Sequence, residues 1–154
     1  MPNPPISCYI RAKNEERLIA EVIKAALQIA DEVVVIDSGS TDQTIPLSEA
    51  AGARVVASPW LGGGKQKRLG EDATKHNWLL DLDADEIVTP ELAEEIRTLF
   101  ADGKEPPCPV YTFELVTKPP VGEPWWNASV VKRNRFYDRR QIRARDHAGW
   151  DQLE

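Results

Sequence analysis

The residues with the clearest chemical potential are three aspartates at alternating positions, Asp81, Asp83 and Asp85, followed directly by Glu86. They end an apolar run that starts at Trp78, and this pattern predicts a buried strand with carboxylates at its carboxyl end. Burying such charges costs free energy unless cations meet them. Hard divalent cations such as Mg²⁺ take oxygen ligands and often bridge to substrate phosphates. We therefore predict that a metal ion and a phosphate group meet here.

The elements that position these acids follow from the hydrophobic pattern. Strands are predicted at 6–10, 33–36, 54–57 and 78–80, and helices at 18–30, 43–51, 65–75 and 90–101. Such alternation is typical of an α/β fold, with a mostly parallel sheet flanked by helices on both faces. Polar clusters at 11–15, 37–42 and 81–86 follow three of the strands, and the carboxyl ends of strands in such sheets line one cleft.

After Gly103 the pattern changes to a small mixed β part, with strands predicted at 110–116, 130–137 and 141–145. Asp146 and His147 are the candidate general acid/base pair, with Asp138 as a weaker candidate. Turn caps or pairing with neighbouring arginines would explain these acids equally well.

Two further features of this part suggest ligands. Trp125 and Trp126 are a candidate stacking platform for an acceptor sugar, although aromatic pairs more often pack a core. Six arginines lie between residues 133 and 145. They could meet anionic lipid headgroups, although charged runs usually face water.

The composition excludes several classes of protein. The net charge of −6 argues against a nucleic-acid binder, whose footprint is normally basic. No apolar stretch approaches the roughly 20 residues of a membrane-spanning helix. The chain also shows no secretory leader pattern, so we expect a cytoplasmic protein. Cys8 and Cys108 lack metal-ligand spacing and are expected to be packed thiols.

The acids at 81–86 admit three chemical interpretations besides a solvated, capped turn. An EF-hand loop starting at Asp81 would need Gly and Glu where the chain has Glu86 and Leu92. A phosphatase could use Asp81 or Asp83 as its nucleophile, but such motifs usually follow the first strand. The third interpretation is an Asp-x-Asp motif that holds Mg²⁺ or Mn²⁺ against the diphosphate of a nucleotide sugar.

Four segments in this order resemble glycosyltransferase family 2, whose fold is called GT-A. They are AKNEE at 12–16, VIDSGSTD at 35–42, GGGKQKR at 62–68 and LDADE at 82–86. The likeness is greatest to the bacterial branch that includes the lipopolysaccharide-core glucosyltransferases. The resemblance favours the third interpretation of the acids.

The resemblance implies roles for individual residues. Ala12 and Glu15 would line the pocket of the donor's base, and Asp37 would accept a hydrogen bond from that base. Asp83 would contact the ribose or the metal, and Asp85 would bind the metal directly. For Asp37, capping of the following turn is the structural alternative.

The resemblance also places Lys65 and Lys67 in a positively charged segment close to the diphosphate. A cation there would neutralise charge on the leaving group. A solvated helix face is nearly as good an explanation for either lysine.

The implied reaction is metal-dependent, inverting transfer of a sugar from a nucleoside diphosphate sugar, preferably a UDP-sugar. The acceptor would be a glycan or lipid of the cell envelope, reached at the inner face of the cytoplasmic membrane. Residues 1–154 would form one domain, with 1–102 binding the nucleotide sugar and 103–154 forming part of the acceptor half. Because this second half is shorter than in the resembling branch, a truncated fragment that binds without turnover, and self-associates, is the alternative. The other alternative is a phosphatase.

Overall fold

The computed structural model describes residues 2–123 and 130–154 and contains a six-stranded sheet in the order β3-β2-β1-β4-β6-β5. The strands are β1 (Ile6–Ala12), β2 (Glu32–Asp37), β3 (Arg54–Ala57), β4 (Trp78–Asp83), β5 (Val110–Val116) and β6 (Val130–Asp138). The helices are α1 (Ile19–Ala26), α2 (Thr44–Ala50), α3 (Gly63–Ala73) and α4 (Pro90–Thr98). The predicted platform of Trp125 and Trp126 lies outside the described residues.

The first four strands are parallel, and a helix follows each of them. This confirms the α/β architecture predicted from the hydrophobic pattern. The run from Val33 to Ile36 is buried throughout, as expected for a strand covered on both faces.

The carboxyl-terminal part does not form a sheet of its own. Strand β6 pairs antiparallel with both β4 and β5, so these strands extend the parallel sheet. The predicted strand at 141–145 is wrong. The chain turns at Asp138, whose carboxylate accepts hydrogen bonds from Arg140 and Gln141. Beyond that turn only an isolated bridge joins Ala144 to Leu153.

The two faces of the sheet differ in chemistry. On one face, alternate residues of β4 (Trp78, Leu80 and Leu82) join the main apolar core, to which α1 and α4 also contribute. Because strand side chains alternate, Leu79, Asp81 and Asp83 lie on the opposite face, which α3 covers. The aspartates thus avoid the apolar core.

The last residues, 143–154, fold back in a turn that we call the C-terminal hairpin. The Arg143 N–H donates to the Glu154 carbonyl at 3.0 Å, and the Arg145 N–H donates to the Gln152 carbonyl at 2.9 Å. The hairpin is fastened to α3 by Glu71, which is fully buried. The Glu71 carboxylate accepts from the Ala144 N–H at 2.6 Å and from Arg143 Nε at 2.7 Å.

The hairpin also rests directly on the first turn of α3. The Gly63 N–H donates to the Ala148 carbonyl at 2.9 Å. A Cβ at Gly64 would clash with the carbonyl oxygens of Arg145, His147 and Trp150. Since no side chain fits, glycine is required for this contact.

We therefore expect Gly64→Ala to displace the hairpin and to lower the free energy of unfolding by about 1–3 kcal/mol. Gly63→Ala is the matched control, because within the described part of the chain its Cβ would meet only the Asp151 side chain, at 3.1 Å. Limited trypsin digestion at Arg143 and Arg145 reports the displacement. Equal digestion rates for the two variants would contradict this packing.

Candidate functional site

A pocket of about 430 Å³ opens at the carboxyl ends of β1, β2 and β4. It is lined by Arg11, Ala12, Lys13, Glu15, Ser38, Trp60 and Asp83. The polar clusters that follow these three strands therefore converge, as the sequence predicted. A separate groove of about 500 Å³ between α4 and β5 contains none of the sequence-predicted site residues among those that line it.

The loops after β1 and β2 are joined by hydrogen bonds that shape one side of the pocket. Asn14 adopts a left-handed backbone conformation (φ 53°), and its side-chain oxygen accepts from the Thr41 N–H at 2.8 Å. The Glu15 N–H donates to Thr44 Oγ1 at 2.8 Å. Ala12 and Glu15 consequently lie together in the pocket lining. That this part of the pocket holds the donor's base stays a prediction.

Asp37 is buried and caps the turn that follows β2. Its Oδ2 accepts from the backbone N–H groups of Gly39 and Ser40 at 3.0 and 2.8 Å, and its Oδ1 accepts from the Ser40 hydroxyl. Asp37 therefore does cap the turn, which was the structural alternative for this residue. Recognition of a nucleobase by Asp37 stays a prediction, and would have to use the remaining lone pairs.

The buried acid of β4 is paired with cations of the protein itself. Asp81 is fully buried, and its Oδ2 lies 2.8 Å from Lys67 Nζ and 3.2 Å from Arg135 Nη1. Burial of this carboxylate required a cation, and two side chains provide it. A solvated helix face is thus the wrong explanation for Lys67, whereas it suits Lys65, which is exposed.

Asp83 is held between two arginines at the pocket. Arg11 Nη2 donates to Oδ1 at 2.7 Å, and Arg135 Nη2 donates to Oδ2 at 3.0 Å. Burial alone would raise the pKa of Asp83, but the two guanidinium groups overcome this effect and lower it. The carboxylate therefore stays ionised and fixed. Its role as a metal ligand stays a prediction, because each oxygen already accepts from an arginine.

Arg135 connects three acids. Besides Asp81 and Asp83, it donates to Glu86 Oε1 at 2.6 Å. Burial opposes the charge on Arg135, but Asp81, Glu86 and Asp83 together raise its pKa. For Glu86, burial is the dominant influence and the pKa of the carboxyl group is raised. Arg135 is the central cation of this site.

Asp85 differs from its neighbours because its side chain is exposed and makes no hydrogen bond or ion pair with the described residues. Within residues 2–123 and 130–154, no group of three or more acidic, His or Cys side chains could hold a metal ion. A cage made of protein alone is thus absent from this part of the chain. Mg²⁺ and Mn²⁺ do not need one, since one or two carboxylates plus ligand phosphates suffice. The exposed carboxylate of Asp85 fits that second kind of site as a single protein ligand, although Asp85 is not among the residues that line the pocket.

The predicted acid/base pair does not reach the pocket. Asp146 and His147 are exposed on the C-terminal hairpin, outside the pocket lining. His147 Nδ1 accepts from the N–H groups of Gly149 and Trp150 at 3.0 and 3.1 Å. This nitrogen shapes the turn, so a role of His147 as a general base would have to use Nε2 and stays a prediction.

Asp138 is also misplaced for such a role. It pairs with Trp78 at the amino end of β4, whereas the pocket lies at the carboxyl ends of the strands. Burial would raise the pKa of Asp138, but its bonds with Arg140 outweigh that and lower it. Asp138 is a structural acid.

The carboxylate of the hairpin that does approach the site is Asp151, which was not predicted. Its Oδ2 lies 3.6 Å from Lys67 Nζ and 3.8 Å from Arg11 Nη1. Gln66, also missed, is buried and donates through Nε2 to the pocket residue Ser38 at 3.0 Å. Trp60, 61% exposed at the pocket, is the third omission; a tryptophan in a loop rich in glycine was the available signal.

The arginines between 133 and 145 mostly serve the protein itself. Arg135 binds the acids above, Arg140 binds Asp138 and Glu105, and Arg143 binds Glu71 and Asp72. These three arginines thus have partners within the protein, and contact of the arginine cluster with lipid headgroups stays a prediction. In the described part of the chain, no helix has the length and apolar character needed to cross a membrane.

Comparisons with known proteins place this chain in a family. The model of Glycosyl transferase family 2 matches residues 7–150. An uncharacterized glycosyltransferase of Rickettsia bellii is 37% identical over 137 residues, which cover 85% of this chain and 47% of that protein. The lipopolysaccharide core biosynthesis glycosyltransferase LpsC of Rhizobium meliloti is 34% identical over 110 residues, covering 68% of this chain and 40% of LpsC. The chain thus spans less than half the length of these curated relatives.

A solved structure is similar in fold. Glucosyl-3-phosphoglycerate synthase of Mycobacterium tuberculosis matches with a TM-score of 0.52 and 31% sequence identity, over 64% of this chain and 41% of that one. A second structure of that synthase, with Mn²⁺, UDP-glucose and phosphoglyceric acid, gives a TM-score of 0.47 at 34% identity, over 53% and 33% of the two chains.

Proposed function

Since this chain belongs to glycosyl transferase family 2, we propose that it binds a nucleoside diphosphate sugar, preferably a UDP-sugar, for inverting transfer of the sugar. The observation that carries the proposal is the pocket at the carboxyl ends of β1, β2 and β4. There the loops after β1 and β2 meet the acids that end β4. Ligands of open α/β sheets bind at such a place.

Different residues of the chain would bind the nucleoside and the diphosphate of the donor. Ala12, Glu15 and Ser38 line the part of the pocket assigned to the nucleoside. Arg11 and Lys67 place positive charge beside Asp83 and Asp81, close to the part assigned to the diphosphate. Fixed cations near the leaving group stabilise the charge that develops on it during transfer.

Asp85 would hold Mg²⁺ or Mn²⁺, with Asp83 as the second carboxylate of the motif. When bound, such a cation would supply Lewis-acid stabilisation of the departing diphosphate. The free carboxylate of Asp85 and the arginine-held carboxylate of Asp83 support different roles for the two acids. Asp85 would bind the cation, and Asp83 would position the donor between Arg11 and Arg135.

The acceptor is proposed to be a glycan or lipid of the cell envelope, of the lipopolysaccharide-core type. The similarity to LpsC supports this class. Association with the inner face of the cytoplasmic membrane and self-association stay predictions. A phosphatase is not proposed, because Arg11 and Arg135 hold both carboxylate oxygens of Asp83, and Asp81 is fully buried beneath the site.

The proposal is tested by incubating the protein with UDP-glucose or UDP-galactose, Mn²⁺ and a lipopolysaccharide-core extract, and by measuring UDP release together with labelled product. We expect release that requires both metal and acceptor. Donor binding without any release would identify a binding module instead. Absence of donor binding, or hydrolysis of p-nitrophenyl phosphate, would contradict the proposal.

A further inference from the structure

We propose that Arg11 and Lys67 form a subsite for a phosphate group of the ligand, and that Asp151 occupies this subsite until the ligand displaces it. The inference rests on the proposed function and adds to it an internal competitor. It predicts that one carboxylate of the C-terminal hairpin lowers the affinity of the protein for the diphosphate.

Asp151 holds the two cations only loosely. Its distances to Lys67 Nζ and Arg11 Nη1, 3.6 and 3.8 Å, both exceed the range of a hydrogen bond. The Asp151 side chain is 53% exposed, whereas those of Lys67 and Arg11 are 7% and 13% exposed. The buried cations thus retain N–H groups that a better-placed anion could use.

The packing of the C-terminal hairpin places Asp151 beside these two cations. Gly63 and Gly64 seat the hairpin on α3, and Glu71 fastens its first residues. The Asp151 Cβ lies 3.1 Å from the position of a Cβ on Gly63. The Asp151 carboxylate therefore belongs to a packed turn, and this packing holds it beside the two cations.

The subsite is continuous with the pocket. Arg11 and Asp83 line the pocket, and their ion pair forms the border between pocket and subsite. A phosphate group that reached Arg11 would lie next to the Asp151 carboxylate, and two anions at such close range repel one another. Asp151 lies farther from Arg11 than Asp83 does, 3.8 against 2.7 Å, so Asp151 is the carboxylate that the ligand would displace.

The test is calorimetric titration of inorganic pyrophosphate into the wild-type protein and into Asp151→Asn. We expect the variant to bind pyrophosphate about three- to tenfold more tightly, which is the scale of a half-exposed ion pair with two cations. Asp146→Asn is the matched control, since it removes the same charge from the same hairpin but contacts neither cation. Its affinity should equal that of the wild type.

Equal or weaker binding by Asp151→Asn would overturn the inference, and so would a complete lack of pyrophosphate binding by both proteins. An equal gain in the control variant would also overturn it, because a general charge effect would then suffice. Thermal melting verifies that each variant is folded. Titration with UDP-glucose separates the two proposals. If UDP-glucose binds but the wild type and Asp151→Asn bind pyrophosphate equally, Asp151 is not a competitor and the proposed donor site still stands.

Discussion

Replacing Arg135 by methionine is expected to lower the free energy of unfolding by about 3–5 kcal/mol, the scale found when a buried ion pair loses one partner. The guanidinium group binds Asp81, Asp83 and Glu86 at distances between 2.6 and 3.2 Å. Without it, Asp81 would keep only Lys67, and Glu86 would lose the one cation that contacts it among the described residues. The charge of Asp81, which is fully buried, would then be poorly compensated.

Urea unfolding followed by circular dichroism measures this loss. Arg133→Met is the matched control, because Arg133 is exposed on the same strand and, among the described residues, its side chain donates only to the neighbouring Lys132 carbonyl. That variant should change stability by no more than about 0.5 kcal/mol. Arg135→Lys keeps the charge but not the fork of donors, so an intermediate loss is expected. Similar stabilities for the variants at 133 and 135 would refute the central position of Arg135.

Replacing Asp85 by asparagine is expected to weaken Mn²⁺-dependent binding of UDP-glucose by about 100-fold or more, because a metal ligand is lost. The stability of the protein should hardly change, since the Asp85 side chain is exposed and makes no contact with described polar groups that the variant could break. The expected signature is therefore a loss of function in a fully folded protein.

Calorimetry with and without Mn²⁺ measures this effect. Asp102→Asn serves as control, since Asp102 is an exposed acid that lines neither the pocket nor the groove. Its metal-dependent affinity should match that of the wild type. Undiminished binding by the Asp85 variant would show that Asp85 is not a metal ligand.

The sequence predicted the parallel half of the fold well, because that half is encoded locally. The β-branched run from Val33 to Ile36 and the apolar spacing from Leu18 to Ala30 each specify one element. Once strands and helices alternate, handedness and the position of the cleft follow. The convergence of Glu15, Ser38 and Asp83 in one pocket was predictable in this way.

The contacts that complete the site are not encoded locally. Arg135 binds Asp81 across 54 positions of the sequence, and it can do so only because β6 inserts antiparallel beside β4. No periodicity reveals that insertion. Similarly, one short segment contains Asp146, His147 and Asp151. Asp151 is the one that approaches the site because of the way the hairpin packs on Gly64, which the sequence pattern does not reveal. The prediction that these acids need cations was correct. At Asp81 and Asp83, however, the cations are lysine and arginine side chains of the protein itself.

The most direct test of the central claim is a crystal of the protein soaked with Mn²⁺ and UDP-glucose, with the metal located by anomalous scattering. We predict a manganese peak within coordination distance of the Asp85 carboxylate, about 2.0–2.3 Å, with both phosphates of the donor as further ligands. A donor bound elsewhere, or a metal that does not touch Asp85, would contradict the account.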